Sequence, residues 1–248
     1  MKLTHLHSST LTAFNDRGFT LVELMVAVAI SGIVAAVISS AYISQRRTST
    51  AQEQVVEMQQ NIRAGLDIME HDIRMAGYDP KNSTPTPTIT TATATQLLFT
   101  MLVEDPIDAF DNDNDGSKTD GDEVETFGYW VADTTPVGDG FTALGRQHKA
   151  LFVAVAENID AIEFYYTLNN GTQTTAPTAA QLNDIRAVQI SILARAGRAD
   201  QDFTNTMTYT PASGNSWDLN GATAGTAPND NFRRRLHITT IQCRNMGL

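Results

Sequence analysis

A single carboxylate lies inside the most apolar stretch of this sequence. The stretch runs from Phe19 to Ile43, about two dozen residues, and is long enough to span a bilayer. Glu23 stands near its start, five residues after Gly18. A charged group at membrane depth costs at least about 2.5 kcal/mol unless it is paired. The sequence therefore predicts that a polar partner meets this carboxylate when the chain does its work.

A second cluster of chemically active residues lies in the acidic segment 111–122. Aspartates alternate with asparagines and are followed by Gly116, a pattern that directs oxygen ligands inward around a tight turn and is typical of a calcium loop. The candidate ligands are Asp111, Asp113, Asp115, Asp122 and the carbonyl of Ser117. Because no amphipathic helix flanks the segment, a complete EF-hand is not expected. Two interpretations stay open: a Ca²⁺ loop between strands, or a solvated acidic turn. We expect no cofactor other than this possible Ca²⁺.

The overall negative charge of the chain argues against nucleic acid as a partner. The 248 residues carry a formal charge of -11, and phosphate backbones are bound by basic clusters. The dense basic patch 233–235 is interpreted as a solvated turn beside a strand. The single cysteine, Cys243, permits no internal disulfide and is predicted to be a small buried apolar residue. No serine elbow, phosphate-binding glycine loop or cysteine cluster is present, so we do not expect an enzyme.

One long helix must carry the apolar stretch and its carboxylate. No proline occurs between Phe19 and Ala76. After the apolar run, hydrophobic residues recur at steps of three and four, which is the period of an amphipathic helix. They are Ala51, Val55, Met58, Ile62, Leu66, Met69, Ile73 and Ala76. The pattern predicts a helix of about 58 residues that ends at Gly77.

Strand patterns follow the helix and predict an α+β chain with an antiparallel sheet. The predicted strands are 96–102, 123–131, 151–155, 159–168, 186–194 and 236–243. Their hairpin-like spacing, without intervening helical pattern, favours antiparallel pairing. The segment 83–95 is predicted to be an extended connector and 200–232 a long surface loop. Arg74 and Tyr78 are expected to attach the end of the helix to the sheet.

The N-terminus has the reverse order of an ordinary secretory signal. In such a signal, a small-residue cleavage site follows the apolar core. Here Gly18 precedes the apolar run, and residues 1–18 are polar and weakly basic. Cleavage after Gly18 would leave the apolar segment on the mature protein.

Residues Arg17-Gly18-Phe19-Thr20-Leu21-Val22-Glu23 resemble the processing site of type IV prepilins and of their relatives in type II secretion. The resemblance implies that a prepilin peptidase cuts after Gly18, that the new N-terminal Phe19 is N-methylated, and that Glu23 is needed for assembly. The stretch 72–78 is similar to the helix end of PilW-type minor pilins. For the whole chain, the resemblance implies a type IV pilin-like fold.

This resemblance implies a division of the chain into four parts. Residues 1–18 form the leader, 19–43 the transmembrane and assembly helix, 44–78 its amphipathic continuation, and 79–248 a β-rich head with the acidic loop 105–123. The implied function is that of a minor pilin that primes assembly, at the tip of a pilus used for adhesion, twitching motility or DNA uptake. The implied partners are the peptidase, major and minor pilins, an inner-membrane assembly platform and the lipid bilayer. The head would lie in the periplasm before assembly and on the cell surface afterwards.

Three other functions stay open at this point. A minor pseudopilin of a type II secretion system would have the same N-terminal motif. A calcium-dependent adhesin could be the head of a pilin stalk, with Asp113 needed for its ligand. A membrane-anchored enzyme would require an activity in the head. In the pilin interpretation, Glu23 of an incoming subunit pairs with the Phe19 amine of a neighbour.

Overall fold

A long helix and two antiparallel sheets make up this protein. The computed structural model describes residues 18–80, 86–103, 124–133, 142–149, 151–220 and 227–246. Contacts divide the chain into an N-terminal unit up to Thr50 and a C-terminal unit from Ala51 onward. Helix α1 spans Leu21–Met75, 55 residues, so the predicted helix is confirmed to within two residues at each end.

From Leu24 to Ile43, the part of α1 that follows Glu23 is apolar on nearly all sides. Its large hydrophobic side chains, among them Leu24, Val28, Ile33 and Val37, are all at least half exposed. By length and composition the helix is able to cross a membrane. Exposure of so many large apolar side chains would be unfavourable in water, and it indicates a lipid or protein environment for this segment.

The C-terminal unit contains two antiparallel sheets, whereas the sequence predicted one. The first has the order β1-β2-β3-β4-β5 and the second β7-β6-β8-β9. The strands of the first are β1 (Ile89–Ala92), β2 (Gln96–Leu102), β3 (Val124–Asp133), β4 (Thr142–His148) and β5 (Leu151–Glu157). Those of the second are β6 (Ile159–Leu168), β7 (Gln173–Thr174), β8 (Ile185–Arg195) and β9 (Arg234–Gln242), with a 3₁₀ helix at Ala179–Asp184. The predicted α+β class is confirmed.

The second half of α1 packs its apolar stripe into one core with both sheets. Met58, Ile62, Met69 and Ile73 are buried in the same cluster as side chains from β1–β6, β8 and β9. On the same helix, Gly65 permits close approach, because a Cβ there would lie 3.0 Å from the Leu144 side chain. The stripe predicted from the sequence is therefore the face that holds the helix against the sheets.

The long segment between β8 and β9 is irregular, as predicted, but parts of it are buried. The Glu163 carboxylate on β6 accepts hydrogen bonds from the Ser213 backbone N–H at 3.1 Å and from the Ser213 hydroxyl at 2.7 Å. The Asn205 amide is fully buried and donates to the Phe232 carbonyl at 2.9 Å. The Ser213 contacts attach the loop to the second sheet, and the Asn205 contact joins the beginning of the loop to its end.

Gly77 ends α1, and its replacement by alanine should destabilise the C-terminal unit. Its φ is +75°, and an added Cβ would lie 2.7 Å from the Met246 sulfur. We expect Gly77→Ala to lower the free energy of unfolding by about 1–3 kcal/mol, because a non-glycine residue is strained in this backbone conformation and the added Cβ would also displace the Met246 sulfur. Chemical denaturation of the variant checks this. Gly171→Ala is the matched control, since Gly171 has φ +80° but open space around it. An equal loss in both variants would contradict the contact with Met246.

Candidate functional site

The first turn of α1 contains a reciprocal pair of polar side chains. The Glu23 carboxylate accepts a hydrogen bond from the Thr20 backbone N–H at 2.9 Å and another from the Thr20 hydroxyl at 2.9 Å. In return, the Glu23 N–H donates to the Thr20 hydroxyl oxygen at 3.2 Å. The Leu24 N–H reaches the Thr20 carbonyl at 3.2 Å and begins the helical pattern. This arrangement is a capping box, which satisfies donors that a helix start otherwise leaves unpaired.

The capping box gives Glu23 a local partner that the sequence analysis did not identify. Thr20-x-x-Glu23 before an apolar run is the sequence signature of such a box. Both hydrogen bonds from Thr20 go to the same oxygen, Oε2. Among the described residues, no hydrogen bond reaches Oε1. One carboxylate oxygen therefore orders the start of the helix, while the other remains available to a group from outside the chain.

The two predicted processing residues lie next to this box and are accessible. Phe19 is 90% exposed, and no side-chain or backbone atom beyond its neighbours lies within 4 Å of a Cβ added at Gly18. An enzyme that cuts the peptide bond between Gly18 and Phe19 therefore meets no steric obstacle from the described residues. The predicted leader before Gly18 lies outside those residues.

A buried ionic cluster attaches the far end of α1 to the first sheet. Asp72 is 3% exposed, and its Oδ2 accepts hydrogen bonds from the Tyr129 hydroxyl at 2.5 Å and from the Arg146 Nε at 2.6 Å. The Arg146 guanidinium also lies over the Phe127 ring, 4.9 Å from its centroid. The helix is thus fixed in rotation and in register to β3 and β4 by one carboxylate.

The charges of this cluster support one another. Burial and the nearby Asp72 carboxylate raise the pKa of Tyr129 well above its usual range, so its hydroxyl remains a donor. Burial alone would lower the pKa of Arg146, but its hydrogen bond to Asp72 and the opposite charge outweigh burial and raise it. An ion pair of this kind contributes specificity of position more than net stability, whereas its disruption leaves an unpaired buried charge.

Tyr78 attaches the end of the helix to the first sheet, as predicted, whereas the Arg74 side chain does not. The Arg74 side chain pairs with Glu70 on the same helix and is about half exposed. The attachment at Tyr78 is made by its backbone, because the Leu102 N–H donates to the Tyr78 carbonyl at 2.9 Å. The Asn245 amide near the C-terminus donates to the Arg74 carbonyl at 2.9 Å. Asp72, backbone groups and the partly buried Tyr78, which packs against the core, hold the end of the helix, whereas the Arg74 side chain does not.

Two residues of the basic patch 233–235, Arg233 and Arg234, differ from the prediction of a solvated turn, whereas Arg235 is exposed. Arg234 is only 4% exposed in its side chain and pairs with Asp160 at 2.6 Å and with Asp230 at 2.6 Å. Arg233 binds Asp200 at 2.8 Å. Because these acids belong to β6 and to the long loop, the patch joins the loop to the second sheet. Cys243 is 4% exposed and burial raises its pKa to about 12, which confirms its prediction as a buried apolar residue.

Glu125 at the start of β3 is a buried carboxylate whose partners, His148 and Lys149, are partly exposed, and this group should make stability depend on pH. Burial alone would raise the pKa of Glu125 above its usual 4.5, but hydrogen bonds from His148 and Lys149 outweigh burial and lower it. The Lys149 ammonium lies 2.9 Å from the carboxylate, and the His148 ring stacks on Phe127. A lowered pKa contributes stability that is present above pH 4.5 and is lost as the pH falls through the folded-state value.

We therefore expect Glu125→Gln to remove part of the acid sensitivity of the C-terminal unit. At neutral pH the variant should be less stable by about 1–2 kcal/mol, because a charged acceptor is lost. Below pH 4.5 the two proteins should converge. Urea denaturation at a series of pH values measures this difference. A difference that is constant over the whole pH range would contradict the prediction.

The predicted calcium ligands, Asp111, Asp113, Asp115, Ser117 and Asp122, lie outside the described residues, as does the acidic loop 105–123. Calcium binding by this loop stays a prediction. Within the described ranges, no group of three or more His, Cys, Asp or Glu side chains is placed to hold a metal ion.

Two family models match this chain. The prokaryotic N-terminal methylation motif matches residues 14–39, which contain the capped helix start. The model of the type IV pilus-assembly protein W, PilW, matches residues 145–245, from the middle of β4 to the C-terminal turn. No curated protein matches the chain significantly.

Among solved structures, a type IV-like pilin from Thermus thermophilus is similar at 16% identity, with a TM-score of 0.44. The match covers 76% of this chain and 97% of that one. The two family models point to a structural rather than a catalytic protein. The methylation-motif model contains the predicted processing site 17–23, whereas the PilW model matches a later part of the chain than the segment 72–78 that resembles PilW-type minor pilins.

Proposed function

We propose that this chain is a PilW-type minor subunit of a type IV pilus, cleaved after Gly18 and N-methylated at Phe19. The observation that carries this proposal is the methylation motif at 14–39, with its cleavage position exposed immediately before a capped apolar helix. The peptide bond after Gly18 is open to a peptidase, and the helix that follows is long and apolar enough to remain in the membrane.

Glu23 then acts in assembly through the oxygen that the capping box leaves unused. After cleavage, Phe19 has a free and positively charged amine. In our proposal, Oε1 of an incoming subunit pairs with the Phe19 amine of a neighbour, while Oε2 stays bound to Thr20. In a medium of low dielectric, an unpaired carboxylate is costly and a paired one is tolerated. Pairing therefore favours subunits that dock in one register.

The proposed location follows from the same segment. Before assembly the protein crosses the inner membrane once, with its head in the periplasm; after assembly the head is part of a surface pilus. Its proposed partners are the prepilin peptidase, other minor pilins, the major pilin, the inner-membrane assembly platform and the bilayer. A position at the tip, where it primes assembly, fits a subunit whose C-terminal unit has two sheets and, among the described residues, a long irregular segment between β8 and β9.

Two alternatives differ from this proposal in ways that can be measured. A minor pseudopilin of type II secretion would have the same helix start, but the PilW match over residues 145–245 favours the pilus. A calcium-dependent adhesin head would lose its ligand on Asp113→Ala while assembly continues. An adhesive, motility or DNA-uptake role of the assembled pilus stays part of the proposal.

Replacement of Gly18 tests the processing step. We expect Gly18→Leu to retain the leader, because the peptidase site then carries a bulky side chain, and to leave Phe19 without N-methylation. Intact-mass measurement of the membrane fraction distinguishes the two forms. Gly32→Ala is a control inside the same helix, where an added Cβ has open space, and it should be processed normally. A Gly18→Leu protein that still begins at N-methylated Phe19 would refute the proposed site.

A further inference from the structure

An aromatic residue and two arginines mark the other end of the apolar segment. Tyr42 is the last aromatic residue of the run, and Arg46 and Arg47 follow it on the same helix. The Arg46 guanidinium carbon lies 5.2 Å from the centroid of the Tyr42 ring, within cation–π distance. Tyrosine is enriched at the boundary between the membrane and water, where its ring meets the acyl chains and its hydroxyl meets the headgroups.

The distance along the helix from Glu23 to Tyr42 matches the thickness of the hydrocarbon core of a bilayer. Nineteen residues separate Glu23 from Tyr42, which corresponds to about 28 Å at 1.5 Å per residue. The hydrocarbon core of a bilayer is about 30 Å thick. When Tyr42 lies at one boundary of the core, the Thr20–Glu23 capping box therefore lies at the other.

The two arginines have the chemistry to bind lipid phosphate. A guanidinium is always charged and presents a planar set of donors that matches two phosphate oxygens. Basic side chains close to the end of a membrane-spanning segment extend toward the headgroups. Arg46 and Arg47 follow the apolar run directly, so both side chains can reach the headgroup layer. Each basic residue near an anionic surface contributes about 1 kcal/mol of attraction.

We propose that Tyr42, Arg46 and Arg47 bind phospholipid phosphate groups on the membrane face next to the C-terminal unit, and thereby fix the depth of the helix. At this depth Glu23 lies in the opposite headgroup layer before assembly, where water and the Thr20 cap solvate it. The inference rests on the proposed function only in that the segment spans a membrane, and it refines the place of Glu23 in the unassembled subunit.

Extraction of the subunit then has two linked consequences. A movement of one helical turn, about 5.4 Å, toward the C-terminal unit separates Arg46 and Arg47 from their phosphates and brings Glu23 into the hydrocarbon. Pairing of Glu23 with a neighbour's Phe19 amine offsets the cost of bringing the carboxylate into the hydrocarbon. It does not offset the loss of the contacts between the arginines and the phosphates. A subunit without such a neighbour therefore stays at its original depth in the membrane.

The test measures the depth of the leader-free full chain in lipid vesicles. A spin label on Ser39→Cys, one turn before Tyr42, reports depth through its exposure to oxygen and to a water-soluble relaxation agent. The Cys243 thiol is buried and its raised pKa keeps it protonated, so it does not compete for the label. The variant is Arg46→Gln/Arg47→Gln, in vesicles of phosphatidylcholine with or without phosphatidylglycerol. Arg63→Gln/Arg198→Gln is the charge-matched control, because both arginines are exposed in the C-terminal unit.

We expect the double variant to shift the label by at least two residues' rise, about 3 Å, whereas the control keeps the original depth. Its enrichment of phosphatidylglycerol, measured by native mass spectrometry, should fall about fivefold for each arginine removed. Equal depth and equal lipid enrichment in variant and control would overturn the proposal. If they are equal while the variant no longer enters filaments, the arginines bind a neighbouring subunit and not lipid. Because the assay needs neither peptidase nor assembly platform, its failure leaves the proposed function intact.

Discussion

Replacing Asp72 with asparagine is expected to lower the free energy of unfolding by about 3 kcal/mol, because it leaves the Arg146 guanidinium without its buried counter-charge. Asp72 is 3% exposed and accepts hydrogen bonds from both Tyr129 and Arg146. An amide of the same shape preserves packing but loses the charge. For a unit of this size, such a loss corresponds to a fall in Tm of about 6–12 °C.

Thermal unfolding of the leader-free chain in detergent, followed by tryptophan fluorescence, measures this effect. Trp130 is a suitable reporter because it lies in β3, next to Tyr129. Asp67→Asn removes an exposed carboxylate from the same helix and should leave the Tm within about 1 °C. If both variants unfold at the same temperature as the parent chain, Asp72 does not fix the helix to the sheet.

Replacing Glu23 with alanine is expected to reduce incorporation into filaments by more than about tenfold, since an unpaired charge at membrane depth costs at least about 2.5 kcal/mol. Without the carboxylate, the Phe19 amine of the neighbouring subunit has no counter-charge. Cleavage after Gly18 should continue, because the cleavage position remains exposed. Quantitative immunoblotting of sheared filaments against whole cells measures incorporation.

Thr20→Ala separates the two roles of the glutamate. This variant removes the capping box, which contributes about 1 kcal/mol to the helix, but keeps the carboxylate. We expect it to be incorporated nearly as well as the parent chain. Equal loss of incorporation in Thr20→Ala and Glu23→Ala would mean that Glu23 acts only as a cap.

Periodicity was sufficient to predict α1, β2 and β6. The steps of three and four from Val55 to Ile73 describe the buried face of the helix, and β2 and β6 were predicted with the bounds that they have. The periodic pattern of apolar residues is clear in these segments because one face of each is buried and apolar. By contrast, β4 ends in three consecutive polar residues. Arg146 and His148 pair with carboxylates, and the Gln147 amide donates to the Lys149 carbonyl, so the sequence has no strand alternation of apolar and polar residues.

The division into two sheets could not be read from the sequence. It depends on which strands pair, and β5 and β6 are consecutive strands separated by one residue, Asn158, yet lie in different sheets. Asn158 has a positive φ of 57°, and this turn redirects the chain. A one-residue change of direction leaves no periodic signal, and so the sequence predicted a single sheet.

The candidate site shows the same contrast between local and distant signals. Glu23 was recognised because a charge in an apolar run is conspicuous. Its partner Thr20 was not predicted, although the capping-box spacing is a local signal that could have identified it. The pairing of Asp72 with Arg146 joins residues 74 positions apart and has no local signature. Arg74 was a nearer candidate for this role, but its side chain pairs within the helix.

The most direct test of the account is mass spectrometry of the N-terminal peptide of this protein in sheared surface filaments. The account predicts a peptide that begins at N-methylated Phe19, in filaments that also contain the major pilin. Processed protein found in the cell envelope but absent from filaments, at a detection limit that allows for low copy number, would favour a secretion pseudopilin. A chain that retains residues 1–18 in a cell with active peptidase would contradict the account.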